Sequence, residues 1–113
     1  MSSYARGQAA EDTAAQYLAN KQYRIIDRNW RTKWCEIDIV ARKDDCVYFV
    51  EVKYRKTAFS GNGLDYITQT KLIQMSRAAE SWVQANDWRR QYDLAVIALT
   101  GNPPVVTRAL FTL

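Results

Sequence analysis

The chain contains no histidine, and that absence narrows its chemistry more than any residue it does contain. Without an imidazole, any hydrolysis must rest on carboxylates, lysine, a hydroxyl or a bound hard metal ion. Cysteine is nearly as scarce. Cys35 and Cys46 stand without a CxxC spacing, which together with the missing histidine excludes a zinc site of the usual Cys/His kind. Packing residues, or the two ends of one hairpin, are the expected roles for these thiols rather than a redox pair. No apolar run approaches the ~20 residues that span a bilayer. The first residues, Met1 to Gln8, lack the apolar segment of a secretory signal, so a cytoplasmic address is expected. Glycine and proline number 4 and 2 among 113 residues, leaving no linker, repeat or low-complexity tract and pointing to one domain over 1–113.

What the chain does contain is a modest cationic excess, a net +4, with an uneven placement. Lys21, Arg24, Arg28, Arg31 and Lys33 face the single acid Asp27 and are interleaved with Tyr23 and Trp30, with Trp34 next in line after Lys33. Cations mixed with aromatics can grip phosphates and stack on bases. Equally, this stretch reads as a solvated loop and strand edge whose tryptophans fold back into the core.

Hydrophobic spacing sets out the elements. From Tyr4 to Asn20 an alanine-rich segment carries Gly7, Glu11, Ala14 and Leu18 on one face, predicting a helix that packs through small residues and brings Glu11 with it. Tyr23 to Trp30 reads as an edge strand. Cys35 to Ala41 and Cys46 to Tyr54 are β-rich and flank a charged turn, which predicts an antiparallel hairpin. With Asp44 and Asp45 as its loop, opposed residue numbers sum to 89. Asp38 then faces Glu51 and Glu36 faces Lys53 on one side of the sheet, with Val40 and Phe49. Ile37, Ile39, Tyr48, Val50 and Val52 take the other side. Because both faces are largely apolar, the hairpin belongs inside a layered α/β domain. A glycine-bearing loop over Lys56 to Gly63 leads to a second helix from Asp65 to Asn86. Its stripe is Leu72, Met75, Ala79, Trp82 and Val83, with Lys71 near its start. Leu94 to Leu99 and Val105 to Leu113 are two further strands around the turn Gly101-Asn102-Pro103-Pro104. The predicted order is αβββαββ.

Two carboxylates opposed across a strand pair repel by roughly 0.2–1 kcal/mol before burial is counted, so something must offset them. A divalent cation does so, since Mg²⁺ takes oxygen ligands from one or two carboxylates and leaves the rest to water and phosphate. An ion over Asp38 and Glu51 would polarise a phosphodiester and supply a nucleophile without histidine, with Lys53 neutralising developing charge. The alternative, a solvated or ion-paired patch of Glu36, Asp38, Glu51 and Lys53, is equally compatible with spacing alone.

Glu36-Ile37-Asp38-Ile39-Val40 and, further along, Phe49-Val50-Glu51-Val52-Lys53-Tyr54-Arg55 resemble the Asp, Glu-x-Lys signature of the PD-(D/E)xK nuclease superfamily. With Gly7, Glu11, Ala14, Leu18 and Asn29, the chain from about residue 5 to 99 resembles the bacterial YraN-like family, held to be small endonucleases similar to the archaeal Holliday-junction resolvases. The resemblance implies a restriction-endonuclease-like α/β fold, with a mixed sheet of about five strands flanked by helices. It also implies Mg²⁺ or Mn²⁺ dependence and a DNA substrate, branched or damaged DNA included. By position it makes Asp38, Glu51 and Glu11 the metal-binding acids and Lys53 the catalytic lysine, with Glu36 standing behind them. Arg28, Arg31, Lys33, Arg55 and Lys71 become candidate DNA contacts. Ala10 and Cys35 depart from the glycines usual beside Glu11 and Glu36. Proteins of related fold often act as symmetric dimers, so a homodimer would suit a two-fold branched substrate. Two rival readings remain: a nucleic-acid-binding module on the same fold without turnover, and a protein-interaction domain using exposed tryptophans.

Overall fold

The computed structural model describes residues 3–57 and 67–113. Over these the order is α1 (Ser3–Asn20), β1 (Arg24–Arg31), β2 (Glu36–Lys43), β3 (Cys46–Arg55), α2 (Gln69–Ala85), β4 (Gln91–Thr100) and β5 (Val105–Leu110), matching the predicted αβββαββ. Most of the loop expected over 56–63, and the helix start expected at Asp65, lie outside the described residues. The strands form one five-stranded sheet ordered β1-β2-β3-β4-β5, antiparallel except for the parallel pair β3–β4. Helix α2 is the crossover that a parallel pair requires.

The sheet is covered on both faces, which explains why its central strands are apolar at nearly every position. Ala10, Ala14 and Leu18 of α1 pack on Ile39, Ala41, Val50, Ala95, Ile97 and Leu99. Met75, Ala78, Ala79 and Trp82 of α2 pack on Ile37, Val40, Val47 and Phe49. Alanines on both helices bring the backbones close to the sheet, so Glu11, one turn from Ala14, is carried down to 8 % exposure.

The β2–β3 hairpin has the predicted register. Lys43 pairs with Cys46 and Ile39 with Val50 around the Asp44-Asp45 loop, where Asp44 takes φ +55, a conformation aspartate tolerates and short hairpins need. Cys46 opens β3 beside the loop and is buried, Cys35 precedes β2, and both cysteines are free. Strict alternation fails on β2, correcting the expected facing of Ile37. Ile37 packs on the α2 side with Val40, while Ile39 packs on the α1 side. The cause lies on β1. Arg28 pairs with Ile39 and Trp30 with Ile37, and the intervening Asn29 sits at φ +54. A left-handed residue inside a strand rotates the backbone beyond it, so Arg28 reaches α1 while Trp30 enters the α2-side core. The strand pair changes face at the level of Asn29 and Asp38.

The aromatic stretch divides accordingly. Tyr23 folds back against Tyr48 and Phe111, Trp30 is core-packed, and Trp34 is half-buried beneath the Lys33 ammonium.

Candidate functional site

The face change opens a pocket of about 480 Å³ at the end of the sheet where β1 and β3 finish and β2 begins. Glu11, Asn29, Arg31, Glu36, Asp38 and Glu51 all line it. A larger depression of about 570 Å³ beside α2 is lined by Ser76, Arg77, Glu80 and Ser81 and has, among the described residues, a single carboxylate, so it holds no pair of acids that could share a metal ion.

Asp38 is the most perturbed group in the pocket. Burial and the adjacent Glu51 carboxylate push its pKa up to about 8, against the opposing pull of the Val52 N–H, which donates to Asp38 Oδ2 at 2.7 Å. The ladder pairs end at Ile39 and Val50; beyond them the Asp38 side chain takes the β3 amide that a strand partner would otherwise use. Glu51 is 8 % exposed. Its Oε2 is shielded from solvent and has no hydrogen bond, although Lys71 Nζ lies 3.0 Å away as an ion pair. Ion pairing depends on distance and hydrogen bonding also on direction, so the Lys71–Glu51 contact balances charge without a well-aligned hydrogen bond. Burial lowers the Lys71 pKa, but the Glu51 carboxylate outweighs it and the net shift is upward. Lys71 stays a cation in this corner.

Glu11 is differently engaged. Its Oε1 accepts from Arg28 Nε at 3.0 Å and Nη2 at 2.9 Å, and its Oε2 accepts from Asn29 Nδ2 at 2.9 Å. Arg28 also donates to Asp12 at 2.7 Å, which holds the Asp12 carboxyl below its ordinary range. Among the described residues, no three Asp, Glu or Cys side chains are gathered as a ready-made metal cage. Asp38 and Glu51 come together as expected; Glu11 shares their pocket with both oxygens already taken.

The remaining expected residues spread around this centre. Lys53 lies two positions beyond Glu51 on β3, half-buried, and among the described residues it makes no ion pair or hydrogen bond. Glu36 lines the pocket with Arg31 3.7 Å away. Arg31, Lys33 and Arg55 are solvent-facing, whereas Arg28 is committed to the two acids of α1. Sequence reasoning missed the hold of Asn29 on Glu11 and the pairing of Lys71 with Glu51. It also missed Cys35, whose thiol pKa is raised by burial, lowered in part by Lys71 and raised by the Glu51 and Asp38 charges, which places it beside the site. The left-handed backbone of an asparagine inside a strand pattern is the kind of signal that spacing does not show.

Arg28→Met removes the donors to Glu11 Oε1 while leaving that buried oxygen in place. A loss of about 1–3 kcal/mol in urea unfolding is expected for stranding a charged acceptor, allowing for the partly exposed arginine. A change below about 0.5 kcal/mol would show that Glu11 is free to rearrange.

A family model described as uncharacterised protein family UPF0102 matches residues 10–98. The chain belongs to that family. The YraN-like membership expected over about residues 5 to 99 is thereby borne out at the level of the family. The UPF0102 protein of Cytophaga hutchinsonii is 35% identical over 96 residues, covering 85% of each chain. The UPF0102 protein GSU0650 of Geobacter sulfurreducens is 44% identical over 97 residues, covering 83% of this chain and 74% of the relative. That of Shewanella loihica is 33% identical over 97 residues, with 86% and 85% covered. The UPF0102 match contains Glu11, Asn29, Asp38, Glu51, Lys53 and Lys71, so the whole pocket constellation falls inside the family's shared region apart from Gly7 and Gln8. No helix among the described residues is long and apolar enough to cross a membrane.

Proposed function

We propose that this chain is a metal-dependent deoxyribonuclease with a restriction-endonuclease-like fold, acting on DNA phosphodiesters and favouring branched or damaged substrates. The observation that carries the reading is the buried contact between Asp38 and Glu51. One carboxyl is pushed up to about 8 by burial and its neighbour, and the other keeps a buried oxygen without a hydrogen bond. Among the described residues the pair has only the Lys71 ammonium to balance it, so once Asp38 gives up its proton one negative charge is uncompensated, and hard oxygen donors in this number suit Mg²⁺ or Mn²⁺. Asp38 and Glu51 would hold the ion, with Glu11 joining if it releases an oxygen from Arg28 or Asn29. When bound, the ion supplies Lewis-acid polarisation of the phosphodiester and lowers the pKa of water.

The chain's own residues do the rest. The Val52 N–H fixes the Asp38 carboxylate in place, whereas the Arg28–Asn29 grip holds Glu11 at the pocket wall until one of those hydrogen bonds is released. Lys53, lacking an acidic partner among the described residues, supplies positive charge to the phosphoryl oxygens as their charge grows. Lys71 lends its charge to Glu51 until the site is filled.

The alternative of a binding module without turnover is favoured by one observation: both Glu11 oxygens are taken, so among the described residues no third acid stands ready. Isothermal titration of Mg²⁺ and Mn²⁺ into wild type and Asp38→Ala, and then incubation with linear and four-way-junction DNA, separates the two. The nuclease reading expects metal binding and cleavage that both vanish in the variant. DNA binding with neither metal uptake nor cleavage would replace it with the module.

A further inference from the structure

Across the sheet from the acidic pocket, at the far end of the β1–β2 pair, Arg24 and Arg42 are direct register partners. Opposed residues share a face, and like charges placed so are destabilising unless something compensates. Among the described residues neither guanidinium has a carboxylate partner, and the nearby acids are otherwise placed: Asp45 pairs with Arg90, Asp87 with Arg89, and Asp27 accepts from the Arg28 amide. Asp44 meets Arg42 through its backbone carbonyl, which accepts from Arg42 Nε at 2.9 Å.

Arg42 is held in place by two contacts. Its guanidinium lies 4.9 Å from the centre of the Trp88 ring, and Trp88 is itself pinned by an Nε1–H donated to the Gln91 carbonyl at 2.8 Å. Stacking and the Nε contact fix the plane of the fork and leave both Nη groups unassigned, the arrangement suited to bidentate recognition of a phosphate. Arg24, Ile25, Ile26 and Arg42 enclose a pocket of about 270 Å³, so two cations and an apolar wall surround one small space. The β-bulge between Ile25 and Asp27 breaks regular pairing along this edge, which discourages a strand of another protein from covering it.

We infer that Arg24 and Arg42 form a phosphate clamp that takes one backbone phosphodiester of the nucleic acid. Arg42 lies four residues along β2 from Asp38, about 13 Å at ~3.3 Å per residue. Arg42 stacks on Trp88 of the α2-side core whereas Glu11 of α1 lines the acidic pocket, so the clamp and the acidic pair open on different faces. The assignment rests on the nuclease reading for its substrate, but it does not need the acidic pair to turn over.

The test is fluorescence anisotropy of a labelled DNA duplex with wild type, Arg24→Gln/Arg42→Gln and Arg42→Lys, in metal-free buffer across a salt series. Cleavage at saturating DNA with Mg²⁺ runs in parallel. A clamp predicts about tenfold weaker binding by the double variant and a salt slope shallower by about one, the signature of one lost phosphate contact. Arg42→Lys, which keeps charge but loses the fork and the stack, falls between. Thermal unfolding of the double variant at or above the wild-type midpoint shows that the fold is kept, as expected when like charges are removed. Unchanged affinity and slope with cleavage intact overturns the clamp and leaves the nuclease standing. Weakened binding in a protein that cuts nothing sustains the clamp and removes the nuclease. If wild type binds no DNA, the assignment to a nucleic-acid backbone is overturned. Titration of inorganic phosphate, read by NMR of the arginine Nε–H signals, then shows whether a free phosphate takes the pocket instead.

Discussion

Asp38→Asn is expected to make the metal-free protein more stable at about pH 8.5, although it removes a group from the centre of the pocket. In the unfolded chain an aspartate titrates near 3.8, whereas in the fold burial and the Glu51 charge move Asp38 to about 8. Between those values the folded protein retains a proton that the unfolded chain has released, so wild-type stability falls as pH rises through this window and levels off above about 8. Asparagine imitates the protonated form. Its amide oxygen can still accept from the Val52 N–H, and no second negative charge then faces Glu51. Thermal unfolding in EDTA should show the wild-type midpoint dropping by about 4 °C or more from pH 5 to about pH 8.5, the equivalent of at least about 1 kcal/mol. The asparagine variant should lack this drop. Mg²⁺ should restore the wild-type midpoint at high pH and leave the variant unmoved. A wild-type midpoint independent of pH over this range would mean that the two carboxylates do not confront each other in solution.

Lys53→Ala is expected to lower the cleavage rate about 10²–10³-fold while leaving Mg²⁺ affinity within about a factor of two. The separation comes from where the lysine stands. It lies two residues beyond Glu51 on β3, opposite Ala98 of β4, half-buried and without an ion pair among the described residues, so its charge is not consumed in holding the acids. On the proposed nuclease reading, removing it takes away a cation that would meet the phosphoryl group as its charge grows. Lys71 differs because it already faces Glu51. Single-turnover cleavage and titration calorimetry on the same preparation provide both numbers. Cleavage within about threefold of wild type would take Lys53 out of the chemistry.

Local chemistry made much of the architecture readable. The Asp44-Asp45 turn fixes hairpin parity, parity fixes the register up to Ile39 and Val50, and the next residue on each strand, Asp38 and Glu51, is thereby brought to the same end of the hairpin. Small residues on α1 foretold a close approach to the sheet, and Glu11 came down with them. The unreadable part depends on contacts between distant segments. The left-handed turn at Asn29 rotates β1 and carries Ile37 to the face opposite Ile39, a reversal that period-two alternation has no means of expressing. Arg28 looked like one of several cations in a basic stretch, yet tertiary packing set it against Glu11 and Asp12. The β3–β4 pair is parallel because α2 returns the chain across the sheet, and strand propensity carries no polarity.

Lys71 links two parts of the molecule that are usually considered apart. Its ammonium balances Glu51, while its amide donates to the Thr68 hydroxyl that caps α2. Filling the site with a cation would release the ammonium, and the first turn of the helix would lose the anchor at its side-chain end. Hydrogen–deuterium exchange at this one amide should therefore quicken as metal binds, so that a helix cap on the opposite face from α1 becomes a gauge of the charge held between two strands.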